Sequence, residues 1–301
     1  MTRRSLLLAA PALIGAGCLL VPSSAPAVTH EVLTVDGARV HFTRMGSGPP
    51  VVLIHGASGS IRDWTFRHAA MLAETHTVLI FDRPGSGASD PAPEPTLLSS
   101  QAAVLRAALA QLGLTKAHAV GHSYGGAVAL AWALDAPETV SGLLLLGAPS
   151  HVWPGSPGPL YDLTNTPVVG WAFSRIVRYA ATDSRISGAV DTIFAPQPVP
   201  DGFVAHVEPR RTVHPLTYRR NAAQIGALKD QLREMTPRYP GLTMPIELIH
   251  GEADTIVWAT IHSGPFAEAV ASANFTPLPG VGHMPHHADP EAFMAAFHRL
   301  A

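Results

Sequence analysis

The segment Gly121-His122-Ser123-Tyr124-Gly125 sets a serine between two glycines, with a short apolar run, Ala117–Val120, before it and a helical pattern from Tyr124 after it. A serine hydroxyl is a weak nucleophile unless a neighbouring base takes its proton. On a sharp strand-to-helix turn its backbone is strained, the glycines leave room for the turn to close, and Oγ projects above the strand ends. The helix that follows offers its first amides, so the Tyr124 N–H points at an oxyanion forming on a substrate bonded to Ser123. The bare pattern also fits a tight turn with a solvated serine, and the rest of the chain has to decide between the two.

Sixteen histidines make a nearby base easy to name, so position has to select it. Gly280-Val281-Gly282-His283 follows the last strand-like run, on a loop at the end where Ser123 emerges, and His283 is the expected base. His286 and His287 share the loop, but chain continuation turns them from the site, and His122 serves structure beside the elbow. An acid must hold the imidazole in one tautomer and stabilise its charged form. Asp254, in His250-Gly251-Glu252-Ala253-Asp254, sits at a strand end and is expected in that role, with Glu252 as its competitor. The turn His55-Gly56-Ala57-Ser58-Gly59 is small enough to approach a ligand closely, which makes the Ala57 N–H the second oxyanion donor. His55 reads as a structural residue of that loop.

Positioning these groups takes an alternation of short apolar runs and longer helical patterns, the signature of an α/β fold. Glu31–Val35 and Arg39–Arg44 form a hairpin through Asp36-Gly37. Val51–Ile54, Thr77–Phe81, Ala117–Val120 and Leu143–Leu146 are continuous runs, as strands buried on both faces require. Helical stretches lie at Asp63–Ala73, Leu97–Leu112 and Tyr124–Ala136. From His151 to Gly241 the chain is rich in Pro, Arg and Tyr and lacks a strand pattern, with helix-like pieces at Val168–Tyr179 and Asn221–Met235. Ile246–His250, Phe266–Ala271, Asn274–Thr276 and Pro290–Leu300 then resume the alternation. The expected organisation is a sheet domain built from residues 28–150 and 241–301, with a helical insertion, 151–240, after its sixth strand.

Together with Gly59–Trp64 and Asp82–Ser89, these motifs resemble the α/β-hydrolase superfamily, in particular the capped serine hydrolases related to epoxide hydrolases, haloalkane dehalogenases, carbon-carbon hydrolases and small esterases. The resemblance implies an eight-stranded, mostly parallel sheet with flanking helices, a cap (lid) formed by the insertion, and no cofactor. Dehalogenases and epoxide hydrolases use an aspartate where this chain has Ser123, and a serine attacks acyl carbon. Gly147-Ala148-Pro149, where some relatives carry the acid, holds no carboxylate, which favours Asp254. The expectation is a serine hydrolase of carboxylic esters or similar small acyl substrates. Carbon-carbon hydrolases, amidases or peptidases, lactonases and perhydrolases share the triad, and a non-catalytic binding protein could keep the same pocket.

Composition narrows the field. Of 301 residues, 47% are apolar and 14% charged, against a usual charged share of about 25%, so the chain buries a large core. A net charge of -2 gives no basic surplus for nucleic acid. Arg3, Arg4, the apolar stretch 6–21 and Ala25-Pro26-Ala27 read as an export signal over residues 1–27, with Thr2–Leu7 similar to a twin-arginine signal. An uncleaved anchor and a lipoprotein acylated at Cys18, the single cysteine, are the alternatives. Beyond residue 27 no apolar run approaches the about 18 residues of a membrane span, so no stable insertion is expected. No His/Cys/Asp/Glu cluster has metal-ligand spacing, and Gly85–Gly87 lacks the lysine of a phosphate loop. Arg210, Arg211, His214, Arg219 and Arg220 suit either carboxylate recognition or a solvated basic face. Trp153, Tyr161, Trp171, Phe173 and Tyr179 suit either an acyl pocket or the core of the lid.

Overall fold

The computed structural model describes residues 29–300; the expected export signal, with Cys18, lies outside the described residues. β1 (Thr29–Val35) and β2 (Ala38–Met45) pair through Asp36-Gly37, both at positive φ as a two-residue hairpin requires. β3 (Pro50–Ile54), β4 (Thr77–Phe81), β5 (Ala117–His122), β6 (Val140–Leu146), β7 (Ile246–Gly251) and β8 (Ala273–Leu278) run parallel to one another. The eight strands form one sheet in the order β1-β2-β4-β3-β5-β6-β7-β8, with β2 antiparallel to both neighbours. The fold is therefore the eight-stranded, mostly parallel α/β architecture that the sequence implied.

Side-chain alternation along the strands makes two cores. Val52, Ile54, Leu79 and Phe81 face α3 (Leu98–Gln111) and α4 (Tyr124–Asp135). Val51, Leu53, Val78 and Ile80 face α1 (Ile61–Thr65) and α2 (His68–Ala73). α4 is buried at every position from Tyr124 to Ala133, and its glycines and alanines let it lie close to the sheet. The single helix expected over 63–73 is two. Arg67, at φ -151°, breaks it, and Phe66 in the break reaches Phe203 of the lid with ring centroids 5.2 Å apart.

The lid holds α5 (Pro159–Thr164), α6 (Pro167–Ala180), α7 (Asp183–Phe194), α8 (Phe203–Val207) and α9 (Pro215–Gly226). α10 (Leu228–Met235), within the expected insertion, belongs with the sheet instead: Leu228, Leu232, Met235 and the following Tyr239 join the core of α3 and α4. A break at Ala227 separates α9 from α10 where the sequence suggested one helix. α11 (Ser263–Ala269), α12 (Pro285–Ala288) and α13 (Pro290–His298) complete the chain. No helix among the described residues is long and apolar enough to cross a membrane.

The lid aromatics divide differently from either expectation. Trp171 and Tyr179 are 50% and 90% exposed, on an outer face of α6 shared with Val168 and Ile176. The lid meets the core through Val190, Phe194, Phe203 and Val207, packed with Phe66 and Met284. Arg210 pairs with Asp183 and Arg211 with Glu208 at exposed positions, as a solvated face would.

Arg83, just after β4, is a fully buried cation. Its Nε donates to His55 O (2.9 Å) and Nη2 to Gly56 O (3.2 Å), while Nη1 donates to Gln101 on α3 (2.9 Å) and Gln224 on α9 (3.1 Å). The guanidinium carbon lies 4.5 Å from the Tyr124 ring centroid. Burial lowers its pKa to about 10, so it stays charged at neutral pH.

Two stability predictions follow from this packing. Arg83→Met strands several buried acceptors and should lower the unfolding free energy in urea by about 3 kcal/mol or more; Arg83→Lys keeps the charge without the fork and should recover little of it. Leu232→Ala should cost about 2–5 kcal/mol, as for any core helix, whereas Ile176→Ala on the lid's outer face should stay within about 0.5 kcal/mol.

Candidate active site

β5 ends at His122 and α4 begins at Tyr124, so Ser123 alone makes the turn, at φ 51° and ψ -125°. A residue with a β-carbon rarely holds that conformation, and surrounding structure must impose it. Ser123 N donates to Leu146 O on β6 (2.8 Å), and Gly126 N donates to Ser123 O (2.8 Å). A β-carbon on Gly121 would lie 2.5 Å from Gly125 O, and one on Gly125 would lie 2.3 Å from Ile54 O. Both glycines are thus required by backbone passing against backbone.

Ser123 Oγ donates to His283 Nε2 (2.9 Å), and His283 Nδ1 donates to Asp254 Oδ2 (2.7 Å). The carboxylate on Nδ1 assigns the tautomer and leaves Nε2 with a lone pair toward the serine. The three come from the ends of β5, β7 and β8, separated in sequence by over a hundred residues and by 29. Glu252 is exposed and turned away; its N–H donates to Leu278 O.

Asp254 has further partners. Its Oδ1 accepts from Ile256 N (2.8 Å) and Val257 N (2.9 Å), and His250 Nε2 donates to Oδ2 (3.1 Å). The same N–H reaches Val257 O (2.6 Å), and His250 Nδ1 accepts from Ser263 Oγ (2.7 Å), which fixes this second imidazole. Burial works against the Asp254 charge, but the hydrogen bonds from His250 and His283, with the Val257 amide, hold its pKa well below the ordinary carboxylate range. The role of His250 went unread in the sequence, although it stands at the end of the strand that precedes Asp254.

The loop carrying Ala57 abuts the serine: a β-carbon on Gly56 would lie 3.3 Å from Ser123 Cβ. Ser58 N in the same loop donates to Asn221 of α9 (2.9 Å). Tyr124 N belongs to the first turn of α4, whose amides have no partner within the helix. His55 donates from Nδ1 to Gly56 O (2.8 Å) and accepts from Arg83 N (3.0 Å), and burial lowers its pKa to about 3. His122 Nε2 donates to His283 O (2.9 Å), so this ring supports the base's backbone.

The lid also grips the loop that carries His283. Gln197, between α7 and α8, donates to Gly280 O (2.8 Å) and accepts from Gly282 N (2.9 Å). No local pattern in the sequence singles out this glutamine, because its partners lie 83 and 85 residues away. A cavity of about 390 Å³ runs between the lid and the Ser58–Asp63 segment, lined by Ser58, Val207, Thr212 and Asn221; Ser123, 9% exposed, does not line it.

Known proteins resemble this chain in sequence and fold. A soluble epoxide hydrolase of a Corynebacterium species is 34% identical over 119 residues, 40% of this chain and 41% of that protein. An acetyltransferase component of the acetoin cleaving system from Cupriavidus necator is 39% identical over 121 residues, 40% of this chain, and the match spans only 32% of that protein's length. Among solved structures, the epoxide hydrolase CorEH superposes with a TM-score of 0.74 at 22% identity, covering 91% of this chain and 100% of that one. The enol-lactonase of Burkholderia xenovorans does so with a TM-score of 0.71 at 20% identity, covering 90% and 99%. At these identities the structures share the fold. The alpha/beta hydrolase family profile matches residues 51–296, most of the chain, and the protein is a member of the alpha/beta hydrolase family.

Proposed function

We propose that this hydrolase cleaves carboxylic esters or similar small acyl compounds through an acyl-enzyme intermediate, and that it works outside the cytoplasm after removal of residues 1–27. The observation that carries the reading is the unbroken chain Ser123 Oγ, His283 Nε2, His283 Nδ1, Asp254 Oδ2, with links of 2.9 and 2.7 Å.

Ser123 Oγ attacks the substrate carbonyl while His283 Nε2 takes the hydroxyl proton. The carbonyl electrons move to oxygen, and the amides of Ala57 and Tyr124 donate to that oxyanion. As the tetrahedral species collapses, His283 gives its proton to the departing alcohol, leaving the acyl group on Ser123. Water then adds to the acyl carbon, losing a proton to His283, and the acid leaves as Oγ is reprotonated. Asp254 stays ionised and holds the imidazolium. An aspartate nucleophile forms an ester that water can open after attack on an epoxide or alkyl halide; Ser123 would form an ether, which argues against those two activities. Acyl chemistry is also what the enol-lactonase's name describes, and lactones fall within the same reaction class.

Two experiments test the reading on the chain from Val28. Against p-nitrophenyl esters from acetate to palmitate, Ser123→Ala should lower kcat by about 10⁴- to 10⁶-fold with folding unchanged, and a fluorophosphonate should label the parent and not the variant. An active, unlabelled parent, or an active alanine variant, rejects the mechanism. Gln197→Leu should lower kcat about tenfold or more with little change in KM, since it loosens the base's loop without touching the acyl group; unchanged kcat would show that the clasp does not position His283.

A further inference from the structure

Beside the site, where α2 and α12 meet Phe194 and Phe203 of the lid, three more imidazoles converge. His68 opens α2, and His286 and His287 lie in α12. Their ring centroids are 4.9, 4.8 and 4.4 Å apart, and one ring nitrogen from each lies within 4.8 Å of those of the other two. At 0%, 1% and 5% exposure they are closed off from solvent. The walls are aromatic: Trp64, Phe66, Phe194, Phe203 and Phe293.

Such nitrogens need partners, and here they find none in the protein. Nδ1 of His68, Nδ1 of His286 and both nitrogens of His287 make no hydrogen bond. His68 Nε2 donates to His286 O (2.8 Å), so its proton is placed and Nδ1 offers a bare lone pair. Leaving a buried polar atom unpaired costs about 1–3 kcal/mol, and a neutral imidazole keeps one lone pair, so the three rings can turn three lone pairs toward a single ligand while the second His287 nitrogen keeps its N–H.

We propose that His68, His286 and His287 form a binding site for a late first-row divalent cation, with zinc the best match. Three imidazoles suit zinc, with a water as the fourth ligand, and imidazole discriminates against magnesium and calcium. The carbonyl of His286 holding His68 Nε2–H is the kind of outer partner that orients a metal-binding imidazole. Zinc–nitrogen bonds of about 2.0–2.1 Å require the nitrogens to close to about 3.3 Å, which ring rotation and a small shift of α12 supply. The sequence hid this site because His68 lies 218 residues from His286, with no ligand spacing to read.

The ion would act as a strut. It ties α2 to α12, and the His286 ring lies 4.8 Å from that of His122, whose Nε2 supports His283 O. Phe194 and Phe203 of the lid press on His287, so metal exchange follows lid opening.

The test uses tag-free protein stripped with chelator and titrated calorimetrically with zinc, then with cobalt(II) followed by visible absorption. The expected result is one equivalent per chain, tetrahedral cobalt bands, and a Tm that rises with zinc concentration. His68→Phe and His287→Leu should each lose the equivalent and the Tm rise while keeping the circular dichroism spectrum of the stripped parent. Absence of stoichiometric binding by the parent, binding that survives in both variants, or ordered water on these nitrogens in crystals grown with zinc would overturn the proposal. None of these outcomes bears on Ser123, so this proposal and the esterase reading stand or fall separately.

Discussion

Arg83 brings a full positive charge to a place that water does not reach, and the loops around Ser123 are arranged to solvate it. Taking an ion out of water costs several kcal/mol unless other dipoles replace the lost hydration. Here the replacements are the carbonyls of His55 and Gly56, two glutamine side chains and the face of Tyr124. Each belongs to a different part of the site: the loop bearing Ala57, the helix α3, the lid helix α9 and the first residue of α4. The cation therefore sets the distance between the loop bearing Ala57 and the turn at Ser123. The planar fork is what makes this possible, since an ammonium could not serve acceptors in so many fixed directions.

Strain at Ser123 is held by the same economy of contacts. The positive φ persists because β6 accepts the serine amide and because glycines on either side let α4 and β3 close in. Once the turn is fixed, the hydrogen-bonded chain to Asp254 needs little adjustment, because each partner leaves a strand of a rigid parallel sheet. His250 and two amides fill the remaining acceptor sites of the carboxylate, so its orientation toward His283 does not depend on the substrate.

Much of this was readable in advance for a local reason. Ser123 and Asp254 follow the buried runs of β5 and β7, which announce themselves by composition, whereas His283 follows the half-exposed β8 and is marked by Gly280 and Gly282 before it. Asp254 was expected over Glu252 from its place after the strand, but the groups that hold its carboxylate, His250 and the amides of Ile256 and Val257, were not legible there. Helix breaks at Arg67 and Ala227 were invisible because tertiary contacts, Phe66 with the lid and Leu228 with the sheet, decide where each helix stops. The lid aromatics were misjudged for a related reason: periodicity tells that α6 has an apolar side, not which way that side faces. Gln101, Gln197 and Gln224 carry no sequence signal of their own, since a glutamine becomes important only by what lies opposite it.

The clasp made by Gln197 has a bearing on how such lids can be exchanged between relatives. A lid is often thought of as a module laid over an independent catalytic floor, free to vary with the molecule it admits. In this chain the lid's Gln197 donates one hydrogen bond to the backbone of the His283 loop and accepts another from it, and a β-carbon on Gly282 would lie 1.9 Å from Ala195 O. Recombination at the obvious boundaries would bring a foreign segment against that loop without a matching amide. The piece that can be inherited as a unit is therefore the lid together with the segment from Gly280 to His283, even though more than eighty residues separate them along the chain.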